Sequence, residues 1–189
     1  MRCLGILAGP RKGHATDKLI DTVLEGLKER GGEVEKISLY DYNIKPCTGC
    51  CACHKTGKCA INDDYHIVRD KVEDADVVVF GSPAYWCNVT SEAKKFMDRS
   101  GVLFEMKTMG PKRTKDKPSK VVLVATCGAP FPLSHMMGII PGVMRAMKEM
   151  FCRMNAKVRT IYAAGMMDPD NSLPSKRLMD KARELGRNI

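Results

Sequence analysis

Residues 3–16 read Cys3-Leu4-Gly5-Ile6-Leu7-Ala8-Gly9-Pro10-Arg11-Lys12-Gly13-His14-Ala15-Thr16. Cys3–Leu7 is a short apolar run of strand type, and Ala8-Gly9-Pro10 breaks it. From Thr16 the spacing changes. Leu19, Ile20, Val23, Leu24 and Leu27 line one face of a helix, which Gly31-Gly32 ends. A strand, a glycine-bearing loop and a helix in that order form the place where an α/β sheet receives phosphate. The helix start offers free N–H groups and the positive end of its dipole. Gly9 and Gly13 let the backbone turn so that its amides converge on an anion, while Arg11, Lys12 and the Thr16 hydroxyl add charge and a donor. His14 adds a cation when protonated. No Gly-Lys-Ser/Thr follows, so this is not a P-loop, and Gly-x-Gly-x-x-Gly is absent, so it is not a dinucleotide fingerprint.

Further along, strand-like and helix-like segments alternate. Glu33–Leu39, Val77–Phe80, Lys120–Ala125 and Val158–Ala164 read as strands, the second and third as uninterrupted β-branched runs suited to burial on both faces. Ser91–Arg99, the stripe Ile140–Met154 and Lys176–Arg187 read as helices. Five strands alternating with helices predict an α/β three-layer sandwich around a parallel sheet. No internal repeat or linker divides residues 1–189, so a single domain is expected. It carries a cysteine-rich loop at 40–63 and a second long loop at 101–119.

The composition agrees. The chain has 189 residues, 44% hydrophobic and 28% charged, with a net charge of +9, which is globular and argues against general disorder. No apolar run approaches the ~20 residues of a membrane span. The opening Met1–Leu7 is too short for the apolar core of a signal peptide, so a soluble, cytoplasmic protein without membrane contact is expected. The basic stretch Lys107–Lys120 lacks a reading motif and interleaved aromatics, so nucleic acid is not expected. A solvated loop, or a surface steering an acidic redox partner or a phosphate-bearing cosubstrate, accounts for it better.

Two further loops follow strands. Ser82-Pro83-Ala84-Tyr85-Trp86-Cys87-Asn88 carries the only tryptophan, and Thr126-Cys127-Gly128-Ala129-Pro130 brings a glycine turn. Open α/β sheets bind ligands outside the carboxyl ends of their strands. The candidate site is therefore Gly9, Pro10, Arg11, Lys12, Gly13, His14 and Thr16 for phosphate. Ser82, Pro83, Ala84, Tyr85, Trp86 and Asn88 would face a flat ring, with Thr126, Cys127 and Gly128 for close backbone approach. No Ser-His-Asp or Cys-His nucleophile arrangement is present in the sequence.

The motifs Gly9–Thr16, Gly81-Ser82-Pro83-Ala84-Tyr85-Trp86 and Ala93-Lys94-Lys95-Phe96-Met97-Asp98-Arg99 together resemble the flavodoxin-like NAD(P)H-dependent FMN reductases, over roughly residues 1–165. The resemblance implies a sheet in strand order 2-1-3-4-5, FMN bound by the three loops, NAD(P)H as a possible cosubstrate, and assembly as a homodimer or homotetramer. Gly9 and Ala15 stand where the family often has Ser and Asn, so each omits a side-chain contact to phosphate. One helix N-terminus for one phosphate, with no second mononucleotide half, favours FMN over FAD.

Five of the nine cysteines fall within 13 residues: Cys47, Cys50, Cys51, Cys53 and Cys59. The spacing C-x2-C-x2-C-x5-C is of the compact kind that wraps a loop around an iron–sulfur cubane. Zinc would favour two knuckles separated by a longer loop. A packed or redox-sensitive loop without a cluster is the other reading. The spacing resembles the iron–sulfur flavoprotein branch of the same family. By that resemblance Cys47, Cys50, Cys53 and Cys59 hold one [4Fe–4S] cluster, and Cys51 is surplus. The implied activity passes electrons between the cluster or NAD(P)H, FMN and a small acceptor, with ferredoxin or another redox protein as a possible donor. The alternatives are a cluster-free NAD(P)H-dependent FMN or quinone reductase and a non-catalytic flavin carrier.

Overall fold

A computed structural model describes residues 1–105, 112–113, 118–153, 156–168 and 173–189. Five strands form one parallel sheet: β1 (Arg2–Leu7), β2 (Glu33–Ser38), β3 (Val77–Pro83), β4 (Lys120–Thr126) and β5 (Lys157–Ala163). Their order is β2-β1-β3-β4-β5, the 2-1-3-4-5 arrangement expected from the resemblance. Residues 104–105 and 112–113 pair separately as a short antiparallel ladder.

Alternation along the strands divides the core into two layers. Leu4, Ile6, Val78, Phe80, Val121 and Leu123 face one side, and Cys3, Leu7, Val77, Val79, Val122 and Val124 the other. The second side is covered by α1 (Ala15–Glu29) and α7 (Lys176–Arg187). The first is covered by α3 (Tyr65–Asp74), α4 (Ser91–Arg99) and α6 (Ile139–Arg153). Two shorter helices, α2 (Ala52–Thr56) and α5 (Leu133–Met136), lie in the loops. The central strands are buried on both faces, as their β-branched runs require, whereas β2 and β5 sit at the edges and are partly exposed.

The differences from the sequence reading are local. β3 runs on to Pro83, beyond the predicted Phe80, because Gly81, Ser82 and Pro83 pair with Val124, Ala125 and Thr126. α3 was not foreseen. Its inward residues Tyr65, Val68 and Val72 stand at helical spacing, but three such positions in ten residues directly after the cysteine loop make a short signal. In the stripe Ile140–Met154, Met144, Met147 and Met150 are core, whereas Met136 and Met137, which precede it, are exposed. Met154 and most of Lys107–Lys117 lie outside the described residues.

Candidate functional site

The sheet order reverses between β1 and β3, and the loops leaving their carboxyl ends enclose a cleft. Its walls are Gly9, Pro10, Arg11, His14, Ala15, Thr16, Pro83, Ala84, Tyr85, Thr126, Cys127, Gly128, Met166 and Asp168. The first loop ends at His14, whose extended backbone caps α1 without a side-chain hydrogen bond. The amides of the first turn therefore have no side-chain cap at the helix end that borders the cleft. Gly13 takes φ +80, a left-handed conformation that favours glycine, and its N–H donates to Asp17 Oδ2 at 2.7 Å. Gly9 packs so tightly on Pro83 that a Cβ there would come within 2.9 Å of the Pro83 ring.

Hydroxyl groups tie the loops together. Thr16 Oγ1 and Thr126 Oγ1 share a buried hydrogen bond of 2.7 Å between the first and third loops. Thr90 Oγ1 donates to the Ala8 carbonyl and accepts the Ala93 N–H at 3.2 Å, while the Thr90 N–H donates to Ser82 Oγ at 3.2 Å. One threonine thus caps α4 and fixes the first loop against the second. In the second loop Tyr85 and Asn88 exchange backbone hydrogen bonds of 2.8 and 3.0 Å around Trp86 and Cys87. Both turn residues have positive φ, 50° and 58°, a costly conformation for side chains of this kind. The turn projects Trp86 fully into solvent.

Eleven of the sixteen residues expected to bind the cofactor lie in the cleft wall: Gly9, Pro10, Arg11, His14, Thr16, Pro83, Ala84, Tyr85, Thr126, Cys127 and Gly128. Five do not. Lys12 turns away to an ion pair with Asp41 at 2.7 Å, and Gly13 shapes the turn from behind. Ser82 is spent inside the fold on Thr90. Asn88 Oδ1 accepts the Val89 N–H at 2.8 Å, and Trp86 lines no part of the wall. Cys127 is buried, which raises its thiol pKa and keeps it neutral. Ala15, Met166 and Asp168 were missed. The last two follow β5, and applying the strand-end rule to that strand would have found them.

In the cysteine loop, Cys47, Cys50 and Cys51 are exposed, whereas Cys53 and Cys59 pack partly buried against the core. The Ala52 N–H and the Thr48 hydroxyl lower the Cys50 thiol pKa. Burial raises that of Cys53, and Cys59, Cys47 and Cys50 add to the rise as neighbouring charges. The Cys51 Sγ turns back to the Gly49 carbonyl. Among the described residues no three His, Cys, Asp or Glu side chains converge on one metal ion. A cubane instead spreads its four thiolates over four irons. Cys47, Cys50 and Cys59 neighbour Cys53, and N–H and O–H donors are directed at Cys50; thiols are the donor type that such a cluster takes.

Among the described residues no helix is long and apolar enough to cross a membrane. A family model described as NADPH-dependent FMN reductase matches residues 1–160. An iron–sulfur flavoprotein of Archaeoglobus fulgidus is 40% identical over 117 residues, 62% of this chain and 55% of that protein. Iron–sulfur flavoprotein MJ1083 of Methanocaldococcus jannaschii is 40% identical over 100 residues, 53% of this chain and 52% of that protein. The chain spans about half the length of the curated relatives it matches. Among solved structures, the NAD(P)H:quinone oxidoreductase from Methanothermobacter marburgensis superposes with TM-score 0.77 at 19% identity, over 100% of this chain and 98% of that one. An azoreductase from Bacillus anthracis gives 0.74 at 17%, over the whole of both chains. At such identities these two likenesses concern the fold.

Proposed function

Because the chain belongs to the NADPH-dependent FMN reductase family, we propose that it is an FMN-dependent oxidoreductase acting on a small acceptor. The observation that carries the reading is the start of α1, which has no side-chain cap and borders a cleft walled by three strand-end loops. Bound there, FMN would supply the hydride and electron chemistry, so no acid–base pair of the protein is required. The protein's part is to bind and orient. The first-turn amides and Arg11 would hold the phosphate, with Thr16 fixed by Thr126 at the base. Pro83, Ala84, Tyr85 and Gly128 line the rest of the cleft and would bound the flavin ring system. Turnover of NAD(P)H with a quinone tests the activity. Turnover that disappears when FMN is removed and returns when it is restored supports the reading. Flavin-independent turnover, or none with any reductant, counts against it.

In the same reading Cys47, Cys50, Cys53 and Cys59 are ligands of one [4Fe–4S] cluster and Cys51 is not. Its support is the donor chemistry of the loop, the turning back of Cys51, and the likeness to iron–sulfur flavoproteins at 40% identity. A ferredoxin-type donor is then a candidate beside NAD(P)H. Iron and sulfide assays on anaerobically prepared protein test this. Loss of iron with FMN retained is expected for Ala at each of the four positions, and retention of both for Cys51→Ala. Iron-free wild type would favour a cluster-free NAD(P)H reductase. A homodimer or homotetramer belongs to the same proposal. Phe131, Leu133, Met136 and Met137 offer exposed apolar surface for it, and light scattering decides.

A further inference from the structure

Arg99 closes α4, and its side chain is entirely buried. Nη1 donates to the Lys45 carbonyl at 3.2 Å and pairs with the Asp63 carboxylate, and Nη2 donates to the Ile61 carbonyl at 3.1 Å. Asp63 is held in turn by the N–H groups of Lys45 at 2.8 Å and Tyr65 at 3.1 Å. The guanidinium lies 4.3 Å over the Tyr65 ring, whose hydroxyl donates to the Arg99 carbonyl at 2.8 Å. Lys45 precedes Cys47 by two residues, and Ile61 follows Cys59 by two. One buried cation therefore joins the entry and the exit of the cysteine loop. Arginine suits the task because its five N–H donors stand in a fixed planar fork.

One nitrogen of that fork makes no hydrogen bond. Nε is buried and has no hydrogen-bond partner, an expensive condition for a charged group. Cys59 stands beside the same guanidinium, near its N–H groups. We propose that Arg99 is the positioning residue of the cysteine loop: it clamps both loop ends and holds Nε for the Cys59 sulfur once that sulfur is a cluster-bound thiolate. The proposal rests on the cluster reading above and adds to it a residue 40 positions beyond the last cysteine of the motif. Hydrogen bonds to sulfur are among the factors that set the potential of such clusters.

The test uses the full chain with FMN, prepared anaerobically, as wild type and as Arg99→Lys. The lysine keeps the charge and can still reach Asp63, but it cannot span both carbonyls and Nε. FMN content serves as the folding control. In Arg99→Lys the amides of Lys45 and Tyr65, which flank the loop and both donate to Asp63, are expected to exchange together about ten-fold faster, while those of β3 are unchanged. Retention of iron against a chelator should weaken about 10–100-fold, the usual effect of losing a residue that supports metal ligands. The remaining cluster should be reduced at a more negative potential, which a purely structural role would not produce. If Arg99→Lys does not fold, the charge-neutral double variant Asp63→Asn/Arg99→Gln carries the same readouts. Unchanged exchange at either loop end, or an unchanged potential in iron-replete variant, overturns the proposal. Wild type that takes up no iron while its loop ends still loosen on substitution removes the cluster reading and leaves the clamp standing.

Discussion

Burial works to raise the pKa of Asp63, but the Arg99 guanidinium and the N–H groups of Lys45 and Tyr65 outweigh it and hold the carboxyl below its ordinary value. The sign of the pH effect follows. A carboxyl with a lowered folded pKa contributes stability above its unfolded value of about 3.9, and that contribution is lost as pH falls through the folded value. Urea titrations between neutral and acid pH should therefore show wild type losing stability below about pH 4, whereas Asp63→Asn, weaker at pH 7, loses less over that range. Tyr65→Phe removes the bond to the Arg99 carbonyl and should cost about 1 kcal/mol in urea unfolding with an unchanged slope. Both effects centre on residues that no local motif reveals. Arg99 was visible in sequence only as the end of Ala93–Arg99, since its partners lie 36–54 positions away. In contrast, Gly13 was legible because it acts on its own neighbours, turning the loop and donating to Asp17.

Helix placement depends on two glycine contacts. A Cβ on Gly26 would stand 2.2 Å from the Arg183 carbonyl oxygen, and one on Gly186 would stand 2.2 Å from that of Val23. α1 and α7 thus meet backbone to backbone. Gly26→Ala gains up to about 1 kcal/mol in helix propensity, but a backbone collision cannot be relieved by a rotamer change, so a net loss of about 1–3 kcal/mol is expected in thermal or urea unfolding. Gly142 is equally tight: its Cβ would fall 2.0 Å from the Cys87 carbonyl oxygen. Gly142→Ala should push the Trp86–Cys87 turn off α6 and, through Tyr85, disturb the cleft wall. A several-fold loss of FMN affinity is expected, read as recovered flavin fluorescence on dilution. Strands and long helices were legible because their apolar residues repeat at the period of the element. α3 was not, because its ten residues carry only three inward side chains, too short a run to establish the period. The turning of Lys12 to Asp41 and of Ser82 to Thr90 was hidden for a related reason: the competing partners come from other elements.

At the scale of the whole molecule, the reversal of strand order between β1 and β3 opens one end of the sheet, and the first, second and third strand-end loops meet there. The net charge of +9 adds a long-range attraction for phosphate-bearing ligands. Rising ionic strength should therefore raise the apparent KM for NAD(P)H more than it changes kcat, which steady-state assays at two salt concentrations would show. The most direct test of the FMN site is to reconstitute the full chain with an equimolar mixture of FMN and FAD, remove free flavin, and identify what the protein releases by mass. One FMN per chain is predicted, with retention weakened by Arg11→Ala and by Thr16→Ala while the fold persists. Release of FAD, or of no flavin at all, would contradict the assignment of the cleft.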